Sequence, residues 1–288
     1  MVYPPLSHRG NGSKDKQARR DSVMTGEFLY GLNQWVIFAF IVGLLCLSAE
    51  IGFRYGRRFA ERTSPEIHSH VGTVEGALLG LLALLLGFAF AMAMSRFDTR
   101  KEVVLEEVND LQTTFLRAQL LSKDHRDECS RLLREYLESR IAFYKAGTDQ
   151  AKTQIALEWT GRLQAQLWRE AVTAAREDSD EVRTGYFIDI LNHLIDDHSK
   201  RVTAMDNHVP EIILMLLVLV STLTIAVTGY SSGLRNKRLK ALRGILVFLI
   251  ASTLLVIIDL DRPRRGFIQV SERGLLELQQ VIGKFAQE

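Results

Sequence analysis

The chain has 288 residues, 47% of them apolar, and a formal net charge of +2. A charge so near zero argues against a nucleic-acid partner, and the apolar average would suit a soluble enzyme equally well. The distribution discriminates: apolar residues gather in four long runs, and the stretch between the second and third is rich in charge.

Residues 1–27 are polar, carry Pro4, Pro5, Gly10 and Gly12, and show no apolar period, which predicts a disordered tail. The first apolar run, 28–49, has no formal charge. About 20 apolar helical residues cross a bilayer core, so this run reads as a span over about 31–53. It is not read as a cleaved leader, because the charged region before it is too long and Leu47-Ser48-Ala49 is a poor cleavage site. After a short loop with Arg54, Arg57, Arg58 and Arg62 comes the run 71–94, whose one charge is Glu75. The run 212–230 is uncharged and follows Pro210, giving a span over 210–230. The last run, 244–258, is short, but Arg243 and Asp259 at its ends can reach toward headgroups, so the span is placed at 241–260.

Between the hairpins 28–94 and 210–262 lies a helical region, 95–209. The second span flows without Pro or Gly into a stretch where Val104, Val108, Leu111, Phe115 and Ala118 share one helical face. Ser122 or Asp124 can cap a second helix with Leu133, Tyr136, Leu137, Ile141 and Tyr144 inward, and Gly147 breaks it. A third starts at Thr148, with Ile155, Trp159, Leu163 and Leu167 as its stripe. A fourth covers about 181–208, with Phe187, Leu191, Leu194, Ile195 and Val202 inward. The expected fold is therefore all-α: an integral membrane protein with four transmembrane helices, two plus two, around an extramembrane antiparallel bundle. Residues 263–288 form an amphipathic C-terminal tail.

Positive charge in short loops marks the cytoplasmic side. The loop 231–243 holds Arg235, Lys237, Arg238, Lys240 and Arg243 with no acid, and the loop after the first span adds four arginines. Both hairpin tips then face the cytoplasm of a bacterial inner-membrane protein, and the bundle is extracytoplasmic. The raw Lys/Arg count runs the other way, but large domains translocate largely regardless of charge.

Four constellations could carry chemistry. Gly72, Gly76 and Gly80, then Ala83 and Gly87, place small residues near one face of the second span. That face lets another backbone approach closely, either within one subunit or at a subunit interface or pore. Glu75 sits among those glycines as an intramembrane carboxylate, a proton or cation site unless the nearby His68, His70 and Thr73 mark a wet end. Asp196, Asp197, His198 and Arg201 crowd one stretch with His193. His193 and Asp197 have metal-pair spacing, whereas Asp197 and Arg201 have ion-pair spacing, and a polar bundle seam is the simpler account. Finally Asp259, Asp261, Arg262, Arg264 and Arg265 surround the end of the fourth span, as a headgroup anchor or as a vestibule that attracts anions. Signatures of catalysis are absent: there is no G-x-S-x-G elbow, Walker loop, dinucleotide fingerprint, H-E-x-x-H or C-x-x-C. No enzyme, metal or cofactor is expected.

Three segments carry a resemblance: LLGLLALLLGFAFAMAMSRFDTRKEVVLEEVNDLQTTFLRAQLL, LNHLIDDHSKRVTAMDNHVP and IDLDRPRRGFIQVS, within residues 71–271. They resemble the bacterial bestrophin-like membrane proteins. The matched positions include Ser95, Arg96, Phe97, Glu107, Asn109, Arg117, Asn192, Asp196, His198, Arg201, Pro210, Asp259, Asp261, Arg262, Pro263 and Gly266. The resemblance implies kinship with bestrophins, pentameric anion channels with four spans per subunit and a helical region that is cytoplasmic. The chain lacks the hydrophobic neck motif of bestrophins and their C-terminal acidic calcium clasp. The expected protein is thus a homo-oligomer in the lipid bilayer that passes a small inorganic ion, an anion. The alternative is a non-transporting sensor or scaffold whose bundle binds a protein.

Overall fold

The computed structural model describes residues 33–62, 64–177, 180–235, 240–262 and 268–285. It is helical throughout, with no strand among the described residues. The helices are α1 (Gln34–Phe59), α2 (Pro65–Ala118), α3 (Lys123–Lys145), α4 (Gln150–Glu177), α5 (Glu181–Asp206), α6 (Glu211–Leu234), α7 (Lys240–Asp261) and α8 (Arg273–Phe285), with a 3₁₀ turn at Ala60–Arg62. Among the described residues, four helices are long and apolar enough to cross a membrane: α1, α2, α6 and α7. The tail 1–27 and Arg264 lie outside the described residues.

The chain forms two compact units, residues 1–89 with 210–256 and residues 90–209 with 257–288. In the first unit α1 and α6 pack closely. Asn33 caps α1, its Oδ1 accepting the Trp35 N–H at 3.0 Å. A Cβ placed on Gly52 or Gly56 would come within 2.1 Å of Ala226 O or 2.2 Å of Tyr230 O. Reciprocally, a Cβ on Gly229 or Gly233 would come within 2.3 Å of Ala49 O or Phe53 O. Two glycine pairs at four-residue spacing thus let the helix backbones touch, the contact that favours association where lipid supplies no hydrophobic drive. The Ser48 hydroxyl adds a hydrogen bond to Thr222 O at 2.6 Å. Phe38 meets Phe248 of α7 edge-on at 6.1 Å. Large apolar side chains on the remaining faces, such as Phe40, Leu84, Phe88, Leu219 and Phe248, are exposed, as lipid contact requires.

The second unit has a conventional buried core. Leu111 and Phe115 of α2, Leu133 and Tyr136 of α3, Leu163 and Leu167 of α4, and Phe187 and Leu191 of α5 meet in it. Leu275, Leu278 and Ile282 of α8, in the stretch read as an amphipathic tail, enter the same core. Gly147, at φ +54°, turns the chain after α3, a conformation that costs other residues a Cβ clash. Asp149 and Asp180 then cap α4 and α5 by accepting the backbone N–H groups of Lys152 and of Val182 and Arg183. Ser122, expected as a cap, makes no side-chain capping bond. The expected stripe of α4 is displaced at its start: Ile155 is 63% exposed, and Ala156 and Thr160 point inward. Thr160 bonds Ser139 across the core at 3.0 Å, so the inner face of α4 carries a polar residue that hydrophobic periodicity passes over.

Candidate functional site

The glycine row of α2 packs against little in its own subunit. A Cβ on Gly76, Gly80 or Gly87 would meet nothing within 4 Å, and one on Gly72 would meet only Arg235 Nη2, at 3.3 Å. The close packing within the subunit belongs instead to Gly52, Gly56, Gly229 and Gly233, which the sequence reading passed over. Their signal was two further G-x-x-x-G spacings, in α1 and in α6.

Glu75 lines a cleft of about 360 Å³ with Thr228, Ser231, Ser232, Arg235 and Arg243. Arg243 also stacks over Phe53 at 5.4 Å and lies 3.9 Å from Glu50. The carboxylate therefore shares its space with two guanidinium groups and three hydroxyls rather than with hydrocarbon alone.

The Asp259–Arg262 end acts on backbone. Asp261 is fully buried, and its Oδ1 accepts the Val209 N–H at 2.8 Å. His208 Nδ1 lies 3.1 Å from Asp261 O and 3.7 Å from Asp261 Oδ2. Asp259 Oδ2 accepts the Ile268 N–H at 3.0 Å, and Arg262 is buried. Arg96 donates to Asn207 Oδ1 and to His208 O, and Arg100 to Leu260 O. Residues 207–209 have no helical partners, so these side chains satisfy backbone groups that would otherwise be buried unpaired. The described contacts of Asp259 and Asp261 are anchoring ones; Arg264, part of the expected vestibule, lies outside the described residues.

The 193–201 stretch divides. Asp197 pairs with Lys200 at 2.8 Å, and Arg201 turns away to Glu107, so the expected Asp197–Arg201 ion pair does not form. The pairing with Glu107 wins because Arg201 faces the bundle interior, where a carboxylate on another helix reaches it. His193 lies nearer Asp189, at 3.9 Å, and no group of three or more metal-ligating side chains occurs among the described residues. Asp196 is exposed. Burial, together with the neighbouring Asp197 carboxyl, raises the pKa of Asp110. His198 is held neutral: burial first, then the charge of Arg140, lowers its pKa to about 4 against the pull of Glu107.

The strongest electrostatic feature is one the sequence reading did not assemble. Glu107 of α2, Arg140 of α3 and Arg201 of α5 are all buried within the second unit. Arg140 Nε lies 2.5 Å from Glu107 Oε1, and Arg201 Nη1 donates to Oε2. The Tyr136 hydroxyl donates to Oε1 at 3.4 Å. Both guanidinium groups stand over the Phe143 ring, at 4.8 and 5.6 Å. Burial would raise the Glu107 pKa, but the two arginine charges and their hydrogen bonds bring it down to about 2. The signal was there: Glu107 lies on the inward face with Val104 and Leu111, and Arg140 beside Tyr136 and Ile141.

Comparison with known proteins places this architecture. The model of the bestrophin-like domain matches residues 38–275. The chain belongs to the bestrophin-like family. Two variants of a bacterial bestrophin homologue from Klebsiella pneumoniae share the fold. At 14% identity each, their TM-scores are 0.64 and 0.60, over 89% and 87% of this chain and 99% of theirs. A variant of a membrane protein matches at TM-score 0.58 and 15% identity, over 85% of this chain and 96% of that one. None of the curated proteins matches. This bestrophin-like chain is a multi-pass membrane protein by its four apolar helices and by its fold. Of the residues that carry the earlier resemblance, Glu107, Arg201, Asp259, Asp261 and Arg262 are buried in the second unit, whereas Ser95, Asn109, Asn192 and Asp196 are exposed.

Proposed function

We propose that this bestrophin-like protein is a homo-oligomeric channel for small inorganic anions in the bacterial inner membrane, with the glycine face of α2 turned toward a neighbouring subunit or the pore. The observation that carries the reading is that face. Gly76, Gly80 and Gly87 have no neighbour within 4 Å of a built Cβ, although each glycine weakens its helix. Small residues at such positions let helices from other subunits approach. Family membership supports the channel class, and Asp259, Asp261 and Arg262 hold the end of α7 in a fixed geometry in support of it. Glu75, set between Arg235 and Arg243, is a polar group at the end of the span and a second point where ions can be influenced.

Recording from purified protein in planar bilayers tests the proposal. Anion-selective current is expected. Gly80→Leu is expected to disturb both the oligomer and the current while leaving α1–α6 packing intact. A correctly folded but electrically silent oligomer would overturn the channel reading and leave the scaffold. Orientation follows the basic loops: alkaline phosphatase fused after Glu288 is expected to be active outside the cytoplasm, and an inactive fusion reverses the topology.

A further inference from the structure

We infer that the cleft beside Glu75 binds the headgroup of a zwitterionic phospholipid that carries a primary amine, of the phosphoethanolamine class. The site lies within the first unit and depends on the four spans, not on the channel reading. The cleft measures about 360 Å³, within the range of small-molecule sites. It opens where α6 ends, at Leu234, and α7 begins, at Lys240, and span ends are where headgroups lie. The apolar face of α7 runs on from it: Leu242, a wall of the cleft, is exposed together with Ile245, Phe248 and Leu249. Acyl chains joined to a headgroup in the cleft would lie along that face.

The walls carry both kinds of partner that such a headgroup needs. Arg235 and Arg243 offer guanidinium donors, which suit phosphate oxygens. Arg243 is held over Phe53 and lies 3.9 Å from Glu50, which pairs with Arg54 at 2.9 Å. Arg235 is exposed and forms no ion pair among the described residues, and neither does the Glu75 carboxylate. Acceptors complete the lining. The Thr228 hydroxyl donates to Thr224 O at 3.0 Å, and the Ser232 hydroxyl to Thr228 O at 2.9 Å. With their protons so used, both hydroxyls of the cleft can only accept. Glu75, Thr228 and Ser232 thus match the three N–H donors of a primary ammonium.

The neighbouring headgroup classes fit less well. A choline headgroup has no N–H to donate, and no aromatic ring stands among the described walls to take a quaternary ammonium on its face. A glycerol headgroup leaves Glu75 facing a phosphate with no cation between them. An ethanolamine headgroup brings one charge of each sign and leaves the total charge of the cleft unchanged, so the site requires no excess of either. A bare phosphate ion satisfies the arginines alone and leaves the apolar face of α7 unused.

The test uses the full chain purified in detergent. Thermal unfolding is followed as dioctanoyl phosphatidylethanolamine, phosphatidylcholine or phosphatidylglycerol is added to the micelles, with ethanolamine phosphate and inorganic phosphate as soluble probes. The melting temperature is expected to rise and saturate with the ethanolamine lipid. The choline and glycerol lipids should need at least about ten times more for half the effect, the loss of one charge-assisted hydrogen bond. Neither soluble probe should saturate at the concentration where the ethanolamine lipid does. Glu75→Gln should erase the preference for ethanolamine over choline, and Arg235→Gln should weaken all three lipids alike. Equal half-saturation by the ethanolamine and choline lipids in the parent protein would overturn the inference, and that comparison needs no variant. So would a preference that survives Glu75→Gln, or a glycerol lipid that acts at the lowest concentration, the mark of a plain anion site. Saturation by ethanolamine phosphate or inorganic phosphate at the lipid's own concentration would overturn the assignment to a lipid.

Discussion

Glu107→Gln is the substitution for which the structure gives the firmest magnitude. It keeps the side-chain volume and removes the one carboxylate between Arg140 and Arg201. Two routes give the size of the effect. Breaking a buried ion pair by removing one partner costs roughly 3–5 kcal/mol, because a desolvated charge is left behind. Independently, the Glu107 pKa falls from 4.5 to about 2. That difference corresponds to about 3 kcal/mol of stability at neutral pH. The group is depressed in the folded state, so its contribution is fully present above pH 4.5 and is lost as pH falls toward about 2. At about 2–4 °C per kcal/mol for a unit of this size, the melting temperature should drop by about 6–12 °C at pH 7. The acid limb between pH 4.5 and about 2 should also flatten. Tryptophan fluorescence is the assay, since Trp159 packs against the core these helices share. Replacing Glu107, Arg140 and Arg201 together by Met should recover most of the loss, because no charge then stays buried. A single variant that melts within about 1 °C of the parent and keeps its acid limb would refute the reasoning.

Two further outcomes follow. Gly233→Leu should separate α1 from α6, since a Cβ there already lies 2.3 Å from Phe53 O and 2.8 Å from Arg57 N. The expected loss is at least about 1–3 kcal/mol, read as a lower melting temperature, whereas Gly80→Ala should leave the subunit's own fold unchanged. His125 is held between Glu170 at 2.7 Å and Glu177 at 3.1 Å, and the hydrogen bond to Glu170, with help from Glu177, raises its pKa against burial. Its contribution is complete below its unfolded pKa near 6.5 and is lost as pH rises through the higher folded value. His125→Gln should therefore flatten the melting curve on the alkaline side of pH 6.5, and an unchanged alkaline limb would show that the clamp contributes nothing.

The four spans and the helices between them were legible because their signals are local. Uncharged runs, Pro210 and Gly147 each act within a few residues, so periodicity and punctuation suffice. Pairing is not local, and there the reading faltered. Asp197 and Arg201 stand four apart on one helix, the spacing at which helical ion pairs form, yet Arg201 is drawn across the core to a carboxylate 94 residues away. Asp259 and Asp261 stood out as charges at a membrane boundary, but that they accept the N–H groups of Ile268 and Val209 depends on a chain crossing that spacing cannot show. A charged residue on the inward stripe of each of three helices was the available sign of the Glu107 network. It acquires meaning only when the three stripes are taken to share one core.

The glycines make the same point from the other direction, and they bear on assembly. Each glycine in a helix interior costs about 0.5–1 kcal/mol relative to alanine. Gly52, Gly56, Gly229 and Gly233 return that cost inside the subunit, because their missing side chains are what lets α1 and α6 touch. Gly76, Gly80 and Gly87 return nothing there, since among the described residues no atom beyond their own stretch of helix comes within 4 Å of where their side chains would be. Lipid gives no return either: acyl chains pack against alanine or leucine at least as well as against a bare backbone. Three uncompensated glycines cost on the order of 2 kcal/mol. In the proposed homo-oligomer a second copy's helix laid against the row would offset that cost, by the same backbone contact that α6 makes with α1. If Gly80→Ala and Gly80→Leu both leave the oligomer as it was, that compensation does not exist, and the oligomeric reading loses its physical basis.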